Sequence, residues 1–173
     1  MAVLVAAGTA RAEPLPPGSL EGLFGGTSGA GADAKRLGYG YVVGVEASYQ
    51  PISTEQRIGF AVRWSTLFGG MYNGNAEKVN PPLRTVQMDL TAGIRFRPWA
   101  TRRRYFTVRG GVGLLRTNDP VIGTDREFVG PVAAVGVDQY FGTIVMGLDL
   151  RYGLISTGPE QLALVLRFGV AGP

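Results

Sequence analysis

The stretch from Arg84 to Trp99, RTVQMDLTAGIRFRPW, alternates strictly between apolar and polar side chains. Its even positions from 86 to 96 carry Val, Met, Leu, Ala, Ile and Phe, whereas its odd positions carry Thr, Gln, Asp, Gly and Arg. Successive side chains of a β-strand point to opposite faces, so this period of two predicts a strand with one apolar and one polar face. An amphipathic helix would instead repeat its apolar residues every three or four positions. The apolar face is long enough to cross a bilayer when tilted, which takes roughly 9–11 residues.

The same alternation recurs along the chain and predicts further strands. The expected ranges are 19–26, 38–50, 57–68, 84–97, 105–116, 128–140, 143–154 and 161–170. The first range carries the weakest pattern, and it completes the even number of strands that an up-and-down barrel needs. Longer and shorter connections alternate, which is typical of consecutive antiparallel strands. The sequence therefore predicts an all-β fold, an eight-stranded antiparallel up-and-down β-barrel.

The composition indicates which way the apolar faces point. Charged residues make up only 17% of the chain, and lysine occurs only at Lys35 and Lys78. The polar faces hold mostly glycine, alanine and serine with a few charges. A water-facing surface would carry more lysine and glutamate, whereas small residues fit the narrow interior of an eight-stranded barrel. These features predict a transmembrane barrel with its apolar faces towards lipid and its polar faces towards the lumen.

Charged residues on the predicted inner faces form the candidate site. A charge in a narrow, poorly hydrated lumen must be paired, and the planar guanidinium of arginine suits paired contacts with carboxylates. We expect this pairing to stabilise the barrel rather than to line an ion-selective path. Glu21 and Arg97 are assigned to the same inner face. The predicted luminal charge network comprises Glu46, Arg63, Asp89, Arg95, Arg109, Asp138, Asp149, Arg151 and Arg167.

Aromatic residues gather near the predicted strand ends. Amphipathic rings favour the headgroup level, where membrane barrels carry two aromatic girdles. The alternation therefore predicts rings at both membrane interfaces. These interface aromatics are Tyr39, Tyr41, Tyr49, Trp64, Phe68, Phe96, Trp99, Phe106, Tyr140, Tyr152 and Phe168.

The first twelve residues, MAVLVAAGTARA, have the character of a secretory signal peptide. Val3 to Ala7 is a short apolar core, and Ala10 to Ala12 matches the small-x-small cleavage pattern. The basic leader that usually precedes such a core is absent, so the predicted signal peptide over residues 1–12 is truncated or follows a misplaced start. Cleavage there predicts a mature barrel domain over residues 13–173, beginning at Glu13.

The whole pattern resembles the small eight-stranded outer-membrane barrels of Gram-negative bacteria, of the OmpA and OmpX type. The resemblance spans residues 19–170 and rests on the alternating strands, the aromatic strand ends and the closing strand LALVLRFGV. It implies a porin-like fold, export through the periplasm to the Gram-negative outer membrane, and contact with membrane lipid and lipopolysaccharide. Such barrels often finish on a terminal aromatic residue, whereas Phe168 here is followed by Gly169 to Pro173.

Missing residue types exclude most catalytic chemistry. The chain has no cysteine and no histidine, which removes thiolate nucleophiles, Cys-type zinc sites and the commonest general base. Lipid-modifying and proteolytic members of the family that it resembles rely on a histidine. A serine or threonine nucleophile would need Lys35 or Lys78 as its base, and both lie in predicted loops. We therefore predict no enzymatic activity, no cofactor and no metal site.

Nucleotide and nucleic-acid binding are not expected either. The glycine-rich stretch TSGAGADAKR lacks the Gly-Lys-Ser/Thr of a phosphate-binding loop. The net charge is +4, but the basic residues do not cluster on one aromatic-bearing face, as nucleic-acid modules require. The run from Arg102 to Arg104 is typical of a turn at a lipid headgroup surface.

Three functions stay open at the level of sequence. The first is a non-catalytic outer-membrane barrel with a structural or surface-interaction role, whose loops 27–37, 69–83 and 117–127 contact other envelope proteins. The second is a narrow channel for small solutes. The third is a soluble, lipocalin-like barrel that binds a ligand. The composition favours the first.

Overall fold

A computed structural model describes residues 17–30, 39–50, 58–71, 83–98, 103–119, 124–153 and 160–172. The predicted signal peptide, Lys35, Lys78, Trp99 and Arg102 lie outside the described residues. Each alternating segment forms a strand. The strands are β1 (Gly18–Gly29), β2 (Tyr39–Tyr49), β3 (Ile58–Met71), β4 (Leu83–Phe96), β5 (Arg104–Asp119), β6 (Thr124–Phe141), β7 (Ile144–Gly153) and β8 (Gln161–Gly172).

Every strand pairs antiparallel with the next one along the chain, and β1 pairs with β8 to close the barrel. Closure leaves no strand edge with unpaired backbone groups. The prediction of an all-β, eight-stranded antiparallel up-and-down barrel is confirmed. Among the described residues, no helix is long and apolar enough to cross a membrane, a finding that does not bear on crossing by strands.

The two ends of the barrel differ. The turn end carries Gly18, Gly172 and the tight turn between β6 and β7, whereas the loop end carries the connections from β1 to β2 and from β3 to β4. At the turn end, Phe141 pairs with Ile144 across a two-residue turn, and Gly142 there has φ +63°. Positive φ at the first central residue is typical of a type II′ turn, which glycine adopts without strain.

The period of two turns the apolar side chains outward. In β4, Leu90 and Ile94 are 53% and 57% exposed, whereas their neighbours Asp89, Thr91 and Arg95 are buried. The other strands follow the same alternation, so the outer wall is mainly apolar, whereas the buried charged side chains all lie in the lumen. A soluble fold would have the reverse arrangement.

Several strands run further towards the loop end than the alternation predicted. The strand expected at 19–26 ends at Gly29, and the strand expected at 57–68 ends at Met71. The segment 117–127, predicted as a loop, contributes its first and last residues to β5 and β6. Backbone pairing needs no apolar side chain, so the ladders continue past the apolar stripe into polar sequence.

Candidate functional site

A cluster of ionised side chains fills the middle of the lumen, and we call it the ion-pair network. Every strand of the barrel contributes at least one member. Each member residue is at most 4% exposed. The network comprises Glu21, Glu46, Arg63, Asp89, Arg109, Asp138, Asp149, Arg151 and Arg167.

Arg167 of β8 binds carboxylates from four other strands. Its Nη1 lies 2.9 Å from Glu21 Oε2 and 3.5 Å from Glu46 Oε1. Its Nη2 lies 3.2 Å from Asp149 Oδ1 and donates a hydrogen bond to Asp138 Oδ1. Charge-assisted bonds of this kind are stronger than neutral ones, so one guanidinium ties β1, β2, β6 and β7 to β8.

Glu46 of β2 is the carboxylate counterpart of Arg167. Arg63 Nη1 donates to its Oε1 at 2.9 Å, and Arg151 Nη2 donates to its Oε2. Arg109 Nη1 lies 3.8 Å from Oε2, so four arginines surround this carboxylate. Two of these arginines also bind aspartates through their other terminal nitrogen. Arg63 Nη2 donates to Asp138, and Arg109 Nη2 donates to Asp149. The result is a shared lattice of charges rather than isolated pairs.

Asp89 lies at the edge of the network. Its carboxylate accepts hydrogen bonds from Gln87 Nε2 at 2.9 and 3.0 Å, and Arg151 Nη1 is 3.8 Å away. The same Arg151 Nη1 donates to Ser65 Oγ at 2.8 Å. Gln87 and Ser65 were not predicted as site residues, although both occupy inward positions of the alternation.

Glycines on the inner face make room for the network. A Cβ at Gly147 would lie 2.6 Å from Arg167 Cζ and 3.0 Å from Asp138 Oδ1. A Cβ at Gly136 would lie 3.0 Å from Asp149 Cγ, and one at Gly113 would lie 2.6 Å from Asp89 Oδ1. The abundant inner glycines therefore match the volume of the arginine and aspartate side chains opposite them.

An apolar cluster covers the network on its loop side. On β2, Val42 lies four residues nearer the loop end than Glu46, and on β3, Leu67 lies four residues nearer than Arg63. This loop-side cluster consists of Leu23, Val42, Leu67 and Val165.

A second apolar cluster covers the network on its turn side. On β5, Tyr105 lies four residues nearer the turn end than Arg109, and on β7, Val145 lies four residues nearer than Asp149. This turn-side cluster consists of Tyr105, Tyr140, Val145 and Ala171. Apolar side chains on both sides exclude water from the charges and strengthen their attraction.

Arg95 lies inside the lumen as expected, but no described residue forms an ion pair with it. It is 5% exposed, and its guanidinium carbon lies 3.6 Å from the centre of the Tyr105 ring and 5.2 Å from that of Tyr140. Arg97, half-buried beyond the end of β4, lies 6.0 Å from the Tyr105 ring centre. The structure thus separates Arg95 from the other predicted luminal charges and stacks it on aromatic rings.

Tyr140 was predicted as a membrane-interface aromatic, and this assignment is wrong. Its side chain is 3% exposed and points into the lumen, because the outward residues of β6 are the odd-numbered ones. Gln50 Nε2 donates a hydrogen bond to Tyr140 Oη at 3.2 Å, and the ring packs edge-on against Tyr105 at 5.7 Å. The odd–even alternation of β6 in the sequence already places the even-numbered Tyr140 on the inward face.

The prediction that Trp64 lies at a membrane interface is also wrong. It points outward with 48% exposure, but it pairs with Leu90 in the middle of the barrel wall rather than at a strand end. The cause is the longer β3, which continues seven residues beyond Trp64 to Met71. Trp99 lies outside the described residues. The remaining predicted interface aromatics are exposed or partly exposed, namely Tyr39, Tyr41, Tyr49, Phe68, Phe96, Phe106, Tyr152 and Phe168.

The loop end carries a different kind of charge pair. Arg116 Nη2 donates to Asp125 Oδ2 at 2.7 Å across β5 and β6, and both side chains are about half exposed. Hydrogen bonds from Arg116 and from Asn118 hold the pKa of the Asp125 carboxyl below its usual range. Exposed pairs of this kind add little stability, so this region is a hydrated polar surface rather than a structural element.

The carboxylates of the network are ion-paired or hydrogen-bonded. Within the described residues, no group of three or more acidic side chains is arranged to hold a metal ion. What the arrangement does physically is to cross-link eight strands through one cluster.

Comparisons with known proteins identify the fold. No family model and no curated protein matches the sequence. The chain is similar in structure to Ail, the attachment invasion locus protein of Yersinia pestis, solved in complex with the heparin analogue sucrose octasulfate. The TM-score is 0.61 with 14% sequence identity, over 91% of this chain and 98% of that chain. It is also similar to Neisserial surface protein A, with a TM-score of 0.53 and 14% identity, over 90% of this chain and 96% of that chain.

Both of these structural neighbours are small eight-stranded outer-membrane β-barrels. At this level of identity the similarity shows a shared fold. The expectation of an OmpA- or OmpX-like barrel fold, drawn from the alternation, is confirmed.

Replacing Gly147 by alanine should destabilise the barrel, because the added Cβ displaces the Arg167 guanidinium from Asp138. We expect a loss of about 1–3 kcal/mol in the free energy of unfolding, measured by urea titration of protein refolded into lipid vesicles. Gly153→Ala on the same strand is the control, since nothing lies within 4 Å of a Cβ there. Equal effects of the two substitutions would contradict the packing role of Gly147.

Removing one central carboxylate should cost much more than removing the peripheral one. Asp138→Asn withdraws the counter-charge of both Arg63 and Arg167, and we expect a loss of about 3–5 kcal/mol. Asp89→Asn can still accept a hydrogen bond from Gln87 and should lose only about 0.5–1.5 kcal/mol. The same urea titration measures both variants, and similar losses would show that the network is not a cooperative unit.

Proposed function

We propose that this chain is a non-catalytic integral β-barrel of the Gram-negative outer membrane, with a structural or surface-interaction role and a lumen closed by salt bridges. The observation that carries this proposal is the outward apolar wall. Leu20 and Phe24 of β1 and Phe168 of β8 are each more than 60% exposed, although they are large apolar residues. Water would penalise such a wall on every strand, whereas the hydrocarbon core of a bilayer solvates it.

The interior argues against the soluble, ligand-binding alternative. A lipocalin-like barrel presents a polar outer surface and encloses an apolar cavity for its ligand. Here the polarity is reversed, because the middle of the lumen is occupied by the ion-pair network and the apolar residues face outward. The fold shared with Ail and Neisserial surface protein A supports the membrane assignment and, with it, export through the periplasm.

The closed lumen also argues against a solute channel. A conducting path needs charges that an ion can reach and leave, but the network lies between two apolar clusters and its carboxylates are paired. Opening a path would require breaking several buried ion pairs together, at a cost of several kcal/mol for each unpaired charge. This geometry supports a structural role for the network.

Partners of such a barrel would be membrane lipid and lipopolysaccharide around its wall, and other envelope proteins at its loop end. Strand extensions there present exposed charges of both signs, including Arg116, Asp125 and Glu127. Ail is described as an attachment invasion locus protein, and the second structural neighbour is named Neisserial surface protein A. Both descriptions support a role in surface contacts. We infer that the loop end, rather than the lumen, is the functional surface.

Localisation and conductance test the proposal together. We expect the full chain to sediment with outer-membrane fractions, to need detergent for extraction, and to migrate faster on a gel before heating than after it. Reconstituted protein should give no stable single-channel steps in a planar lipid bilayer. Recovery as a detergent-free monomer would refute the membrane role, and well-defined conductance steps would refute the closed lumen while leaving the membrane role intact.

A charge on the outward wall provides a sharper test of lipid contact. Leu90→Arg places a cation near the middle of the wall and should cost about 2–4 kcal/mol of unfolding free energy in lipid vesicles. Asn118→Arg, on an exposed loop-end position of β5, is the control and should change it by less than about 0.5 kcal/mol. If Leu90 faced water, both substitutions would be tolerated equally.

A further inference from the structure

Arg95 differs from the four arginines of the ion-pair network. In those arginines the terminal nitrogens bind carboxylates, whereas Arg95 has no ion pair within the described ranges. Two of its nitrogens, Nε and Nη2, are buried and have no hydrogen-bond partner among the described residues. The side chain itself is 95% buried, being only 5% exposed. The rings of Tyr105 and Tyr140 face the charge of the guanidinium, but these two buried donors are left without an acceptor among the described residues.

The two unpartnered nitrogens form one edge of the guanidinium. The N–H groups of Nε and Nη2 point in the same direction, and this edge accepts two oxygens of a carboxylate or phosphate in parallel hydrogen bonds. Stacking on Tyr105, with the guanidinium carbon 3.6 Å from the ring centre, fixes the plane of the group. The donor edge is therefore preorganised, which lowers the entropic cost of binding an anion.

Neighbouring groups point to an anion rather than to water alone. Thr107 is the cross-strand partner of Arg95, it is 1% exposed, and its Oγ1 also lacks a hydrogen-bond partner. Arg97 approaches the same Tyr105 ring, and its Nε is likewise buried and unpartnered. Two cations and one hydroxyl thus lie near Tyr105 at the turn end, and no described carboxylate pairs with either cation. An oxyanion would relieve the repulsion between the cations and would satisfy these donors.

We propose that the turn end of the lumen is a binding site for a single oxyanion, a carboxylate or a phosphate group, held side-on by Arg95. Arg97 adds a second positive charge, and the Thr107 hydroxyl donates to the bound oxygen. The site borders the turn-side cluster, because Arg95 stacks on Tyr105 and Thr107 lies between Tyr105 and Arg109 along β5. Arg97 is only half-buried, and the site is therefore reached from the turn end.

Inorganic phosphate and acetate serve as the two probes. The full chain, refolded into a neutral detergent without phosphate groups, is heated at increasing concentrations of each anion, with ionic strength held constant by sodium chloride. We expect a saturable rise in the unfolding temperature. Comparing the two anions shows whether the site prefers a phosphate or a carboxylate. The phosphorus-31 NMR linewidth of phosphate gives an independent measure of binding to the folded protein.

Variants separate the donor edge from simple charge. Arg95→Lys keeps the cation near Tyr105 but loses the two-nitrogen edge, and we expect at least about tenfold weaker binding, the equivalent of one charged hydrogen bond. Thr107→Val should weaken binding by about fivefold or more through loss of the hydroxyl donor. Arg116→Gln, which removes an exposed arginine at the loop end, should bind both probes like the unaltered chain.

Several outcomes would overturn the proposal. One is the absence of saturable binding of either anion to the unaltered chain, which would mean that water or the chain itself satisfies Arg95. Another is an equal response in Arg95→Lys and the unaltered chain. A third is an equal loss in Arg116→Gln, which would indicate general screening of charge by salt.

Discussion

The narrowness of a closed eight-stranded barrel is the constraint on which the rest of this structure depends. Such a barrel has an interior just wide enough for side chains, so inward residues of strands far apart in the chain come close together. A charge placed there is costly unless it is paired, and most of the described luminal charges meet opposite charges. Arginines with two usable nitrogens satisfy this requirement, because each one reaches two or more carboxylates at once, as Arg167 does with Glu21 and Asp138. The inner glycines follow from the same lack of space.

The same constraint separates the chemistry of the two faces. Because the lumen holds the polar groups, the apolar side chains form the outer wall, where lipid is the solvent that suits them. The network lies between two apolar clusters, which is the basis for proposing a structural role for it. At the loop end the strands extend past the apolar stripe and carry exposed charges such as Arg116 and Asp125, and the proposed surface contacts belong there.

Particular elements show how far the sequence could be read. In β4 the period of two was unbroken, so both its existence and the direction of each side chain were predictable from local pattern alone. The end of β3 was not predictable from local pattern. Strand pairing there depends on backbone hydrogen bonds to β2 and β4 and not on the side chains of residues 69–71. That longer β3 moved Trp64 from an expected interface to the middle of the wall. Tyr140 lies near a strand end, which favours an interface position, but the odd–even alternation of β6 places its side chain in the lumen.

By itself, the sequence determined seven of the eight strands and the inward or outward side of most residues, because both follow from a local period of two. The first strand was inferred from the even number that an up-and-down barrel needs, and closure became visible only in the pairing of β1 with β8. Only the tertiary structure decided which charges meet. Barrel closure brings Glu21 of the first strand beside Arg167 of the last. The stagger of the strands places Arg63 and Arg167 beside the same residue, Asp138, and places Arg95 against the Tyr105 ring. Such partnerships depend on register across the lumen between residues far apart in the chain, and no local pattern encodes that.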